Sequence, residues 1–129
     1  MEEQIKMAIE AREKSHCPYS KFATGCVLKT KNGKYYTGCN IENVGVQSIC
    51  SERVAFCKAI SEGENEFESI LIVGGKQGEK ITEKCLPCGY CRQFINEFVD
   101  EYFKIYSYDG NENYEYKIKD LLPEAFEEF

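Results

Sequence analysis

The chain has 129 residues, enough for one ordinary domain, 1–129, to bury a core without disulfide staples. A composition of 43% hydrophobic and 29% charged residues with 3 prolines excludes disorder and collagen-like repetition. The net charge of −6 comes from 16 Lys and Arg against 22 Asp and Glu, so duplex DNA and anionic membrane are disfavoured and a small ligand stays open.

The start, Met1-Glu2-Glu3-Gln4, lacks the basic and apolar stretches of a signal peptide, and no apolar run is long enough to span a bilayer. A cytoplasmic protein is expected. Residues 3–14 place Ile5, Ala8, Ile9 and Ala11 on one side of a helix that ends before Pro18 and Tyr19. Phe22–Leu28 reads as a strand, Lys31-Asn32-Gly33 as a hairpin turn with positive φ at both central positions, and Lys34–Cys39 as the returning strand. A polar loop, 40–48, leads to a helix over Cys50–Ile60. The run Glu68–Val73 predicts a strand buried on both faces, broken by Gly74-Gly75.

Cys88–Tyr102 predicts a second amphipathic helix, followed by strands at Phe103–Tyr108 and Tyr114–Ile118. The link between those strands is too short for a parallel crossover, so they pair antiparallel. A helical turn is expected near Leu121–Phe126. The order α-β-β-α-β-α-β-β implies an α/β fold, three layers α/β/α around a five-stranded mixed sheet. Ligands in such sheets sit beyond the carboxyl ends of the strands, where both Cys50 and Cys88 would open their helices.

Eight cysteines stand at 17, 26, 39, 50, 57, 85, 88 and 91. Without an export signal they fit reduced thiols with a few metal ligands better than a disulfide framework. Pro87-Cys88-Gly89-Tyr90-Cys91 can bring two thiolates to one side of a turn, and a helix N-terminus favours the thiolate form. Alone, this pair fits a redox dithiol, core thiols or a structural zinc knuckle equally well, and Cys85 adds an overlapping Cys-x-x-Cys. Cys50-Ser51-Glu52 changes that balance. A ligand two residues before a glutamate, followed by Pro-Cys-x-x-Cys, is the pattern of zinc deaminases, with Cys for His in the three-thiolate version. Cys50, Cys88 and Cys91 then become zinc ligands, one ion per chain. The fourth position stays open for water, with Glu52 facing it.

The chain resembles the small homotetrameric cytidine deaminases over nearly its whole length. The markers are Tyr19-Ser20-Lys21-Phe22, Gly38-Cys39-Asn40-Ile41-Glu42-Asn43, Cys50-Ser51-Glu52-Arg53, Pro87-Cys88-Gly89-Tyr90-Cys91-Arg92-Gln93 and Leu121-Leu122-Pro123-Glu124-Ala125-Phe126. The resemblance implies deamination of cytidine and 2′-deoxycytidine, with Glu52 as the proton carrier and a homotetrameric assembly. It implies that Asn40 and Glu42 hold the ribose hydroxyls, and that Phe22 packs on the nucleoside. The backbone at Ser51 would meet the pyrimidine carbonyl, and Phe126 would reach the base from a neighbouring subunit. Arg53 would draw charge from the ligand sulfurs, a plausible role because three thiolates leave a zinc site at −1.

Simpler readings stand beside these: Asn40, Glu42 and Asn43 as turn formers, Phe22 and Phe126 as core residues, and Arg53 in a surface ion pair. His16, the only histidine, matches no ligand position and reads as structural or solvated. The chain departs from the family with Ser51 in place of the usual Ala, with Thr24-Gly25-Cys26-Val27, and with Val44-Gly45-Val46 where a Tyr is common. A blasticidin-S-type deaminase is the nearest alternative. A polynucleotide deaminase would need a basic track for the strand, and a noncatalytic zinc module would gain nothing from Glu52.

Overall fold

Strands buried on both faces form the centre of the molecule. The computed structural model describes residues 1–127. In chain order the elements are α1 (Glu2–Arg12), β1 (Phe22–Thr30), β2 (Tyr35–Cys39), α2 (Ser51–Ser61), β3 (Phe67–Lys76), α3 (Gly89–Phe98), β4 (Lys104–Tyr108), β5 (Asn113–Lys117) and α4 (Ile118–Leu121). The sheet order is β2-β1-β3-β4-β5, with only β3 and β4 parallel. Successive side chains of a strand point to opposite faces. Val27, Leu71 and Val73 therefore meet α1 through Ala8, while Cys26, Leu28, Ile70, Ile72 and Ile105 meet α2 and α3 on the other side. Ile70, Leu71, Ile72 and Val73 are all buried, the signature of a strand covered on both faces. The three-layer mixed sheet read from the sequence is the observed fold.

Phe56 of α2 is fully buried and stands among Phe67 at 5.0 Å, Phe98 and Phe103 at 6.2 Å, and Phe94 at 6.3 Å between ring centroids. Such edge and tilted contacts add to the area each ring buries. This aromatic centre fixes α2 and α3 side by side, and their first turns with them. Arg12 is also buried, its guanidinium donating to the carbonyls of Lys76 at 2.7 Å, Glu79 at 2.9 Å and Ala23 at 3.1 Å.

Several boundaries differ from expectation. The hairpin after β1 has a positive φ at Gly33 alone, with Gly33 N–H on Thr30 O and Thr30 N–H on Lys34 O. This is the longer hairpin in which one glycine takes the left-handed position, rather than a two-residue turn. Gly74-Gly75 does not break β3: both pair with β1, opposite Thr24 and Ala23. Glycine is needed there for a different reason, since a Cβ on Gly74 would lie 2.7 Å from Cys85 Sγ. Helix α3 stops at Phe98, where Val99 is extended, and Phe103 then enters the core. The last helix sits earlier than expected. Asp120 accepts the Lys117 N–H at 2.9 Å at its start, and Leu122 before Pro123 has left the helical region. Among the described residues no helix is long and apolar enough to cross a membrane.

Candidate active site

Strands β2 and β3 both run antiparallel to β1 and so finish at the same end of the sheet, where the first turns of α2 and α3 meet. Cys50 is the N-cap of α2 and Cys88 the N-cap of α3, each with extended backbone. Gly38 allows α2 to sit directly on β2, since a Cβ there would be 2.2 Å from Ser51 O. The Sγ atoms of Cys50, Cys88 and Cys91 all lie within 4.8 Å of one another, and Cys50 and Cys88 are 3.8 Å apart. A tetrahedral zinc with sulfur at about 2.3 Å requires sulfurs about 3.8 Å apart. Spacing and soft donor set both fit zinc.

Electrostatics favour thiolate at Cys50. A hydrogen bond from Cys91, together with Arg53 and Cys88, brings its thiol down to about 5, while the proton held toward Cys50 raises Cys91. Arg53 Nη2 lies 3.7 Å from Cys50 Sγ and 3.4 Å from Ser48 O, and the guanidinium covers the Tyr90 ring at 4.5 Å. Arg53 Nε is buried with no hydrogen-bond partner, an orphan donor beside the sulfur cluster. In place of the surface ion pair, its neighbours are sulfur, a carbonyl and a ring. Cys85 behaves differently. Its backbone is gripped at both ends by Ser107 Oγ, at 2.8 and 2.9 Å, and burial pushes its thiol up to about 12. It stands outside the three-sulfur cluster.

Glu52 is 4% exposed, and burial raises its carboxyl above the ordinary range. It accepts the Ser51 hydroxyl, and Cys26 Sγ donates to Ser51 O at 3.3 Å, so the first turn of α2 is pinned from below. A cavity of about 350 Å³ opens over these groups. Cys50, Glu52 and Cys88 form its floor, Phe22, Asn40 and Glu42 one wall, and Cys85 and Leu86 another. Asn40 accepts Thr24 N–H at 2.9 Å and donates to Phe22 O at 2.8 Å, leaving one N–H and one lone pair. Phe22 is 45% exposed, so it is no core residue. Asn43 bonds Gln47 and Gly45 within its own loop and does serve as a turn former.

Phe126 is not brought to this cavity. It is 59% exposed, and its carbonyl accepts Gln93 Nε2 at 2.8 Å. Phe129, the other terminal aromatic, lies outside the described residues. His16 is exposed and joins Ile41 through backbone alone. Two contributors had no role assigned from sequence: Tyr90, which stacks on Arg53, and Ser20, which lines the cavity beside Glu42. Both stand inside marker motifs, which was the available signal.

The sequence pattern of the cytidine and deoxycytidylate deaminase zinc-binding region matches residues 1–107. The chain belongs to this zinc-binding deaminase family. A cytidine deaminase from Sporosarcina psychrophila is 38% identical over 128 residues, covering 98% of this chain and 90% of its own length. The crystal structure of a cytidine deaminase from Burkholderia pseudomallei superposes with a TM-score of 0.87 at 34% identity, covering 97% of this chain and 98% of that one. The cytidine deaminase from Mycobacterium tuberculosis superposes at 0.80 with 29% identity, covering 97% and 95%. Membership makes zinc the metal that the Cys50, Cys88 and Cys91 cluster of this deaminase domain is suited to hold.

Proposed function

We propose that this protein hydrolyses cytidine and 2′-deoxycytidine to the uridines and ammonia, using one zinc ion per chain held by Cys50, Cys88 and Cys91. One observation carries the reading: a single cavity joins Cys50 and Cys88 of the three-thiol cluster, a buried glutamate and an amide–carboxylate pair suited to sugar hydroxyls. Bound there, zinc lowers the pKa of a coordinated water toward neutrality. The remaining chemistry belongs to the chain. Glu52 takes a proton from the attacking water and delivers it to N3, which makes C4 more electrophilic. It then takes the proton left on the new oxygen and passes it to the amino group. Ammonia leaves, C4 keeps a carbonyl, and Glu52 is again ionised. One carboxylate serves as base and acid because each delivery restores the state needed for the next transfer.

Binding follows from the free valences. The first N–H groups of α2 have no helical partner, so the Ser51 amide can meet the pyrimidine carbonyl. Asn40 and Glu42 offer a donor and acceptors to the sugar hydroxyls, and Phe22 offers a flat apolar face. A purely structural zinc module would not aim a buried carboxylate into an open cavity. The direct assay is ammonia release from cytidine, 2′-deoxycytidine and blasticidin S. Turnover of both nucleosides with little from blasticidin S is expected; the reverse preference would replace cytidine as the substrate.

The active unit is a homotetramer in this reading, and Phe126 of one subunit closes the cavity of a neighbour. Support comes from its exposure and from its absence among the residues that line its own subunit's cavity. A second aromatic wall would exclude water and strengthen the site's electrostatics. Mixing decides this. Glu52→Gln and Phe126→Ala subunits, each nearly inactive alone, regain partial activity when reassembled together; mixed tetramers with no recovery, or a fully active monomer by light scattering, would refute shared sites. Eight free cysteines support the cytoplasm as the working compartment.

A further inference from the structure

Ser20 sits at the rim of the cavity, on the exposed segment between α1 and β1. Its hydroxyl has two partners. It donates to Glu42 Oε2 and accepts the Phe22 N–H at 3.0 Å. The N–H groups of Tyr19 and Ser20 both reach the other carboxylate oxygen, Glu42 Oε1, at 3.1 Å. Two adjacent residues thus supply three donors to one carboxylate, and one hydroxyl links that carboxylate to the start of β1.

The segment is itself held in shape. Lys21 has a φ of 63°, in the left-handed region where a non-glycine residue stays only if its surroundings hold it. Lys21 N–H binds Cys17 O at 3.0 Å, and Gln77 N–H binds Lys21 O at 2.7 Å. The turn at Lys21 lets the Phe22 N–H fold back onto the Ser20 hydroxyl. The same contacts keep the Glu42 carboxyl below its ordinary range, with the Ser20 hydroxyl the largest cause.

We propose that Ser20 is a positioning residue for nucleoside recognition: its hydroxyl fixes the Glu42 carboxylate against the Phe22 backbone, so that sugar and ring are received in one register. This rests on the reading that Glu42 and Phe22 contact substrate. A glutamate at a cavity rim otherwise samples several rotamers, and ordering it must be offset when substrate binds. Ser20 removes that cost in advance. It touches neither Glu52 nor the three cysteines, so its effect falls on binding and not on the chemical steps.

Steady-state kinetics on Ser20→Ala, Glu42→Ala, the double variant and Ser20→Thr test this, with zinc content and a thermal melt recorded for each. Ser20→Ala is expected to raise the cytidine KM about tenfold, the scale of one hydrogen bond to a charged group. Its kcat should move less than about threefold, since the proton-transfer groups are untouched. Ser20→Thr, which keeps a hydroxyl, restores most of the KM. In the Glu42→Ala background Ser20→Ala adds less than about twofold, because contacting residues are not additive. An unchanged KM in Ser20→Ala, while Glu42→Ala raises it, overturns the proposal and leaves the substrate assignment standing. Fully multiplicative effects in the double variant, or loss of zinc or of the cooperative melt in Ser20→Ala, also overturn it. An unchanged KM in Glu42→Ala removes the sugar assignment itself.

Discussion

Replacing Glu52 with Gln leaves zinc and fold in place and lowers turnover by about 10²–10⁴-fold. The two side chains have the same shape, and a Gln carbonyl can still accept the Ser51 hydroxyl that Glu52 accepts now. Residue 52 is 4% exposed, so substitutions of other shapes would disturb the first turn of α2 and confuse the result. Gln cannot take up and return a proton, and each catalytic cycle needs both transfers twice. Metal analysis and cytidine turnover on the same preparation check the two halves. Activity near that of the parent removes Glu52 from the mechanism, and loss of zinc makes it a structural group.

Cys50→Ala, Cys88→Ala and Cys91→Ala each lose the zinc, and with it all measurable deamination, whereas Cys85→Ala retains one zinc per chain. Three thiolates are the fewest protein ligands of a catalytic zinc, so removing one leaves two and a weak site. Cys91→Ala should also be the least stable, because Cys91 is 0% exposed and Ala leaves an unfilled space behind the cluster. Cys85 is spared for geometric reasons: Ser107 holds its backbone, and its buried thiol keeps its proton. Metal content of the four variants, measured after gel filtration, separates them. Zinc retained in Cys88→Ala and lost in Cys85→Ala would reverse the assignment.

The layers of the fold were legible because the central strand is a continuous apolar run. Ile70 to Val73 read as a doubly covered strand from their apolar run alone, and the spacing of Cys50-Ser51-Glu52 and Pro87-Cys88 located two helix starts that meet at one cavity. Features that depend on distant backbone were not legible. Gly74-Gly75 looked like a break because glycine often ends a strand, yet here it makes room for Cys85, eleven residues further along the chain for Gly74. Nothing in the sequence marks Arg12 for burial, since its three acceptors are carbonyls from β1 and from the end of β3 and the loop after it. The end of α3 was overrun because amphipathic spacing continues past Phe98, while the need to bury Phe103 pulls the chain out of the helix.

In the site, the zinc cluster and Glu52 followed from motif spacing, and the structure brings their side chains to one place. Ser20 escaped notice for a physical reason. Its marker motif places it near the site without giving its role, which appears only when Glu42 and Phe22 are seen to converge on its hydroxyl.

The most direct test is a zinc titration of the metal-stripped protein against cytidine, with zinc bound and ammonia released measured on the same samples. Deamination should be absent without zinc, rise in proportion to zinc bound, and saturate at one zinc per chain, with one uridine formed for each ammonia. Deamination that persists in the stripped protein, or a chain that binds its full zinc and releases no ammonia from cytidine, would contradict the account.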